Sequence, residues 1–222
     1  MQLLYRIGKI TLGTVLLAGW RPKVEGRENV PTTGGVILAG NHLSVADEIF
    51  LGAVLPRQIS FWAKAEYFTG KGFKGWLTRT VVTQLGAIRV ERSGGRAALS
   101  AFESAIPVLQ NGGIVAIFPE GTRSPDGRLY RGRTGVVRLA LAAGVPVVPV
   151  GILGTDKVQP IGARVPRLKP GAITIRFGQP MDFRGRTADR AGLREMTNEL
   201  MAEIQKLTGQ EYVDEYSPRR TW

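Results

Sequence analysis

From residue 35 onward, short apolar runs alternate along the chain with longer stretches whose apolar positions recur at helical spacing. GVILA (35–39), ISFWA (59–63), 87–90, IVAIF (114–118), VPVVPV (145–150) and AITIRF (172–177) are short and rich in β-branched or aromatic residues, which predicts strands. Residues 46–55, 73–84, 95–110 and 134–143 predict helices between them, and 187–207 a longer terminal one. Alternation of this kind predicts an α/β fold, a mostly parallel central sheet flanked by helices, with function on loops at the carboxyl ends of the strands. No internal repeat or long linker divides the chain, so 31–210 reads as a single domain. It lies between an N-terminal segment, 1–30, and a polar tail, 211–222, expected to fray.

The first twenty residues, MQLLYRIGKITLGTVLLAGW, place Leu3, Leu4, Ile7, Ile10, Val15, Leu16 and Leu17 around Arg6 and Lys9. The uncharged stretch 10–20 is about half the ~20 residues a spanning helix needs, and no clear small-residue cleavage site follows, which disfavours a transmembrane helix or cleaved signal. Leucines with two cations and a closing Trp20 suit an amphipathic, membrane-associating helix in the interface of an anionic bilayer. A helix packed on its own domain is the other reading, and both stay open.

Composition narrows the chemistry. The 222 residues are 43% hydrophobic and 22% charged, as in an ordinary folded domain, with 30 Lys+Arg against 18 Asp+Glu for a net charge of +12. That charge favours polyanions: nucleic acid, an anionic lipid surface or phosphorylated small molecules. The chain has no Cys and a single His, which excludes disulfides, zinc–cysteine sites, redox pairs and a thiol nucleophile, and leaves too few N or S ligands for zinc.

The lone His42 lies in GNHLSVADEIF, after a predicted strand and before a predicted helix, and Asp47 follows five positions on. A strand-to-helix turn can fold back so that a carboxylate at the helix start meets the imidazole, fixes its tautomer and raises its basicity. That makes a general base with an orienting acid. Equally, Asn41, Ser44 and Asp47 are ordinary turn and capping residues beside a satisfied histidine.

NHLSVAD resembles the HX4D signature of the glycerolipid acyltransferases, a family that includes 1-acyl-glycerol-3-phosphate acyltransferase. GAIRVERSGG is similar to that family's second block, whose arginine falls on Arg92. FPEGTRS, with Glu120, Gly121, Thr122 and Arg123, resembles the third and most specific block, and VPVVPVGI, centred on Pro149, the fourth. These ordered blocks cover 41–152, about half the chain, and leave the flanks unmatched.

The resemblance implies direct acyl transfer: His42, oriented by Asp47, deprotonates an acceptor hydroxyl that attacks an acyl thioester. It further implies acyl-CoA or acyl carrier protein as donor, no cofactor, and lysophosphatidic acid as acceptor through its sn-2 hydroxyl, giving phosphatidate at the cytoplasmic face of the cell membrane. Another lysophospholipid or a glycolipid acceptor is the alternative. The family also places Glu120, Gly121, Thr122, Arg123 and Arg92 in the acceptor site, and puts Lys64, in its AKxEL-like segment, near the reacting carbonyl or a phosphate. A surface lysine at a strand end is the second reading of Lys64.

The residue chemistry is compatible with these roles. Arg92 and Arg123 offer planar forks suited to phosphate, Gly121 lets backbone approach a ligand and Thr122 can donate. Arg128, Arg131 and Arg133 continue the charge run as a solvated basic loop, or face a membrane or coenzyme A. Along AIRVER, alternation sets Ile88, Val90 and Arg92 on one face and turns Arg89 to solvent. No GxSxG elbow accompanies Ser44, which reads as a turn residue. Tyr67, Phe68, Phe73, Trp76 and Leu77, interleaved with Lys71 and Lys74, suit an acyl tunnel or a membrane dip, or plain core. The developing oxyanion needs backbone N–H groups or Lys64.

Gly70 to Gly75 is formally GxGxxG, but a dinucleotide fingerprint needs its first glycine directly after a strand, and six residues intervene after the predicted strand 59–63. Nucleic acid is not expected as a partner: the cations are spread over most loops and no helix-turn-helix, RRM or KH pattern appears.

Overall fold

The computed structural model describes residues 11, 13–64, 66–84, 86–90, 97–163 and 165–218. Its helices are α1 (Thr14–Trp20), α2 (Ala46–Val54), α3 (Glu66–Thr69), α4 (Gly72–Gln84), α5 (Ala97–Gln110), α6 (Gly135–Ala143), α7 (Thr155–Val158) and α8 (Arg190–Thr208). The strands are β1 (Lys23–Glu25), β2 (Val36–Gly40), β3 (Ile59–Ser60), β4 (Trp62–Lys64) and β5 (Ile88–Val90), followed by β6 (Ile114–Ile117), β7 (Leu129–Tyr130), β8 (Val147–Leu153), β9 (Thr174–Phe177) and β10 (Tyr212–Val213).

The apolar runs of β2, β6 and β8 are buried on both sides, as the interior of a parallel sheet requires. The main sheet is six-stranded in the order β1-β9-β8-β2-β6-β3. β8, β2, β6 and β3 run parallel, and β9 turns antiparallel to β8 and carries β1 parallel to itself. Successive side chains divide between two cores. Ile37, Ala39, Val115 and Ile117 face α5, α6 and α8, whereas Val36, Leu38, Ile114 and Ala116 face α1 and α2. Burying Phe50 of α2 or Leu200 of α8, at 1% and 0% exposure, contributes about 1.5–3 kcal/mol each.

Local chemistry sets the helix ends. Asp189 caps α8 by accepting the Gly192 N–H at 2.7 Å, and Gly209, in the left-handed region at φ 70°, closes it with a bond to the Gln205 carbonyl.

Two expectations change. The run 59–63 is two strands, not one: Ile59 and Ser60 pair with β6, while Trp62–Lys64 pairs with β5 in a separate two-stranded ladder. β3 is the sheet edge, so the chain is free to leave after two residues and start a new ladder. The tail, expected to fray, is docked through residue 217. β10 pairs with β7, Leu129 and Arg131 donate to the Glu211 and Glu215 carbonyls, and Ser217 is buried. Backbone pairing, blind to side-chain polarity, holds it.

The amphipathic segment is described from α1 on, residues 1–10 and 12 lying outside the described residues. α1 sets Leu16 into the core and leaves Val15 and Leu17 exposed. Among the described residues no helix is long and apolar enough to cross a membrane.

Candidate active site

β2 ends at Gly40, and the next residue carries the sheet one step further. The buried Asn41 amide accepts from the Ile152 N–H at 2.7 Å and donates to the Ile152 carbonyl at 2.8 Å, imitating a backbone rung between β2 and β8. The chain then turns into α2, whose first turn holds Asp47. One oxygen, Oδ2, accepts the N–H groups of Leu43 at 2.7 Å and Ser44 at 2.9 Å, and meets His42 Nδ1 at 2.8 Å. Two backbone donors and the helix N-terminus converge on this carboxylate at a position with no exposed surface. The tautomer with its proton on Nδ1 donates to this oxygen and leaves the lone pair on Nε2. The imidazole, 15% exposed, stacks on Phe118 with centroids 3.9 Å apart and planes at 8°. Ser44 is spent on the turn: its hydroxyl donates to the Gln159 carbonyl at 2.6 Å and accepts the Ala46 N–H at 3.1 Å.

The loop after β6 grips the same turn. Glu120 Oε1 accepts the His42 N–H at 3.2 Å, and the His42 carbonyl accepts the Ser124 N–H at 2.7 Å. Glu120 Oε2 takes the Tyr130 N–H at 3.0 Å. The family resemblance sets Glu120 in the acceptor site; here it is 1% exposed with both oxygens on backbone donors. Burial pushes its carboxyl up to about 7, opposed by those two bonds. Gly121 adopts φ +75°, and a Cβ there would lie 3.2 Å from Arg133 Nε, so the loop and the Arg133 side chain are in close approach.

Thr122 and Arg123 are half-buried on this loop. Arg92 and the side chains of Lys64, Phe73, Lys74, Leu77 and Arg89 lie outside the described residues. Pro149 lies in β8 opposite Ala39, and its carbonyl accepts the Gly178 N–H. The cation run is more ordered than a solvated loop. Arg128 pairs with Asp126 at 2.8 Å, Arg131 with Asp214 at 3.4 Å, and Arg131 and Arg133 both lie over the Tyr216 ring. Tyr67 and Trp76 are exposed. The GxGxxG glycines serve backbone packing: a Cβ on Gly75 would meet the Gly70 carbonyl carbon at 2.2 Å, and α3 separates them from β4. Among the described residues no group of three or more His, Asp or Glu could hold a metal ion.

The Phe118 stack on His42, the approach of Arg133 to Gly121 and the double role of Glu120 are absent from the sequence reading. Their signal is the β2–β6 register, Ala39 opposite Ile117, which brings the residues just past both strand ends together.

A family model described as Acyltransferase matches residues 21–153. A 1-acyl-sn-glycerol-3-phosphate acyltransferase of Bacillus subtilis is 30% identical over 209 residues, 92% of this chain and 96% of that protein. The chloroplastic 1-acyl-sn-glycerol-3-phosphate acyltransferase LPAT1 of Arabidopsis thaliana is 30% identical over 158 residues, 71% of this chain; the match spans only 43% of that plant protein. The crystal structure of the 1-acyl-sn-glycerophosphate acyltransferase from Thermotoga maritima superposes with a TM-score of 0.69 at 28% identity, over 91% of this chain and 78% of that one. The matched stretch holds the His42–Asp47 pair and the Glu120 loop that grips it, and on this ground the chain belongs to the acyltransferase family.

Proposed function

We propose that the protein transfers a fatty acyl group from acyl-CoA or an acyl carrier protein to the sn-2 hydroxyl of lysophosphatidate, giving phosphatidate. The observation that carries this reading is His42 held through Nδ1 on a buried carboxylate, with the basic Nε2 left for a substrate. The named activities of the bacterial and plant relatives supply the substrate class. Nε2 takes the hydroxyl proton as the oxygen attacks the thioester carbonyl; the C–S bond then breaks, and the imidazolium returns the proton to the leaving thiolate. No acyl-enzyme intermediate is required, which suits a chain without cysteine.

In this reading Gly121, Thr122 and Arg123, with Arg92, hold the acceptor phosphate, and Glu120 acts through the two backbones it ties together. Lys64 or backbone N–H groups stabilise the oxyanion. The protein works at the cytoplasmic face of the cell membrane, held peripherally by its anionic surface.

The test is thiol release from palmitoyl-CoA by purified protein across a panel of lysolipid acceptors. Lysophosphatidate is expected to give the highest kcat/KM, and His42→Ala to lose at least about a thousandfold. A preference for lysolipids with larger headgroups would move the acceptor, and near-normal release by His42→Ala would overturn the base assignment.

A further inference from the structure

Three pieces of chain remote in sequence meet around Trp20. Its indole N–H donates to the Arg167 carbonyl at 2.9 Å, its own carbonyl accepts the Gly171 N–H at 2.7 Å, and its ring lies edge-on to Phe50 of α2 at 5.9 Å. Leu168 Cδ1 sits 3.4 Å from where a Gly19 side chain would begin. The Ser44 bond to Gln159 ties the start of α2 to the same segment. Around this junction large apolar side chains point outward: Val15 and Leu17 from α1, Val45 and Ile49 from α2, and Val165 and Leu168 from the segment after α7. The last two are the most exposed apolar side chains described, at 72% and 65%.

Apolar groups left in water cost free energy, and their position here is informative. Val45 stands three residues after His42, so the patch borders the turn that carries the base. The cations are equally local. Residues 157–170 hold Lys157, Arg164, Arg167 and Lys169 and no acid, and Lys157, Arg167 and Lys169 are exposed. Exposed apolar side chains alternating with exposed long-stemmed cations, Val165 and Leu168 with Arg167 and Lys169, fit the boundary between acyl chains and anionic headgroups.

We infer that the segment 165–171 is a second membrane-contact element, which inserts Val165 and Leu168 into an anionic phospholipid surface while Arg167 and Lys169 bind its headgroups, and that with α1 and α2 it seats the bilayer beside His42. The inference rests on the lipid-acceptor reading for its direction: a lysolipid then reaches the base from the membrane without crossing water. It does not rest on residues 1–10.

The absence of cysteine gives a clean probe. Full-length Val165→Cys carrying an environment-sensitive fluorophore is mixed with vesicles of phosphatidylglycerol and phosphatidylcholine. A blue shift with rising intensity is expected. The same label on Ala202→Cys, on α8 against the opposite face of the sheet, should not respond. In co-sedimentation, the Arg167→Gln/Lys169→Gln pair should partition about 30-fold more weakly, from about 1 kcal/mol per cation at an anionic surface, and match the parent on phosphatidylcholine alone. Val165→Asp, at a site with little to lose in folding, should weaken binding to the anionic vesicles. Equal fluorescence responses at 165 and 202, or unchanged partitioning of the double variant, would overturn the inference. Neither measurement involves acyl transfer, so failure here leaves the proposed reaction to its own thiol-release assay.

Discussion

Replacing Asp47 by asparagine removes one charge while keeping the side chain's shape. The Asn carbonyl can occupy the place of Oδ2 and keep the N–H bonds of Leu43, Ser44 and His42. Its NH2 group then falls where Oδ1 sits, buried and without a hydrogen-bond partner among the described residues, at a cost of about 1–3 kcal/mol in stability. Chemistry loses more. In the proposed reaction the ring becomes cationic as Nε2 takes the acceptor proton, and a carboxylate about 4 Å from that charge is worth about 4 kcal/mol at an effective dielectric of 20. Withdrawing it raises the barrier by that amount, so kcat should fall on the order of a thousandfold. Acceptor KM should stay within about threefold, since the interaction strengthens only as charge develops. Steady-state thiol release from acyl-CoA measures both constants, and a circular-dichroism melt establishes that the variant is folded. A folded Asp47→Asn with kcat within about tenfold of the parent would refute the dyad.

Arg123→Ala should raise acceptor KM by about 10- to 100-fold for phosphate-bearing lysolipids, the worth of one charge-assisted bond, and leave monoacylglycerol kinetics unchanged; equal losses with both would refute a phosphate role. Glu120, raised by burial from 4.5 to about 7, binds its proton more tightly folded than unfolded. Its contribution to stability is therefore full below about pH 4.5 and is lost as pH rises through about 7. Glu120→Gln should flatten the fall of the urea midpoint across that window and lower kcat through the His42 backbone, and parallel midpoint curves for parent and variant would show that Glu120 does not titrate there. Arg57 donates to the carbonyls of Pro31, Gly34 and Gly112 at 2.5–2.6 Å, joining loops at the amino ends of β2 and β6, away from His42. Arg57→Ala should cost about 2–4 kcal/mol in chemical denaturation with kcat unchanged; a fall in kcat without loss of stability would contradict that placement.

Much of this is legible in the sequence. The buried strands announce themselves as unbroken apolar runs, because a strand covered on both faces has no polar side to display. The His42–Asp47 spacing carries its geometry within six residues, since a turn into a helix N-terminus returns position 47 to position 42. The run 59–63 misleads for the converse reason: its apolar residues serve two ladders, and nothing local marks the change at Phe61. The tail misleads because its anchorage is backbone pairing with β7, which composition does not register.

By itself, then, the sequence determined the alternation of strand and helix, the lone histidine with its aspartate, and the order of the arginine-bearing loops, all consequences of spacing along one stretch of chain. Tertiary structure alone decided that Glu120 turns inward to hold the His42 and Tyr130 backbones, that Phe118 stacks under the imidazole, and that Arg167 and Gly171 meet Trp20 at the end of α1. Those facts depend on which strand ends lie side by side. Parallel registry between segments some eighty residues apart sets the contacts of Glu120 and Phe118, and no local pattern encodes it.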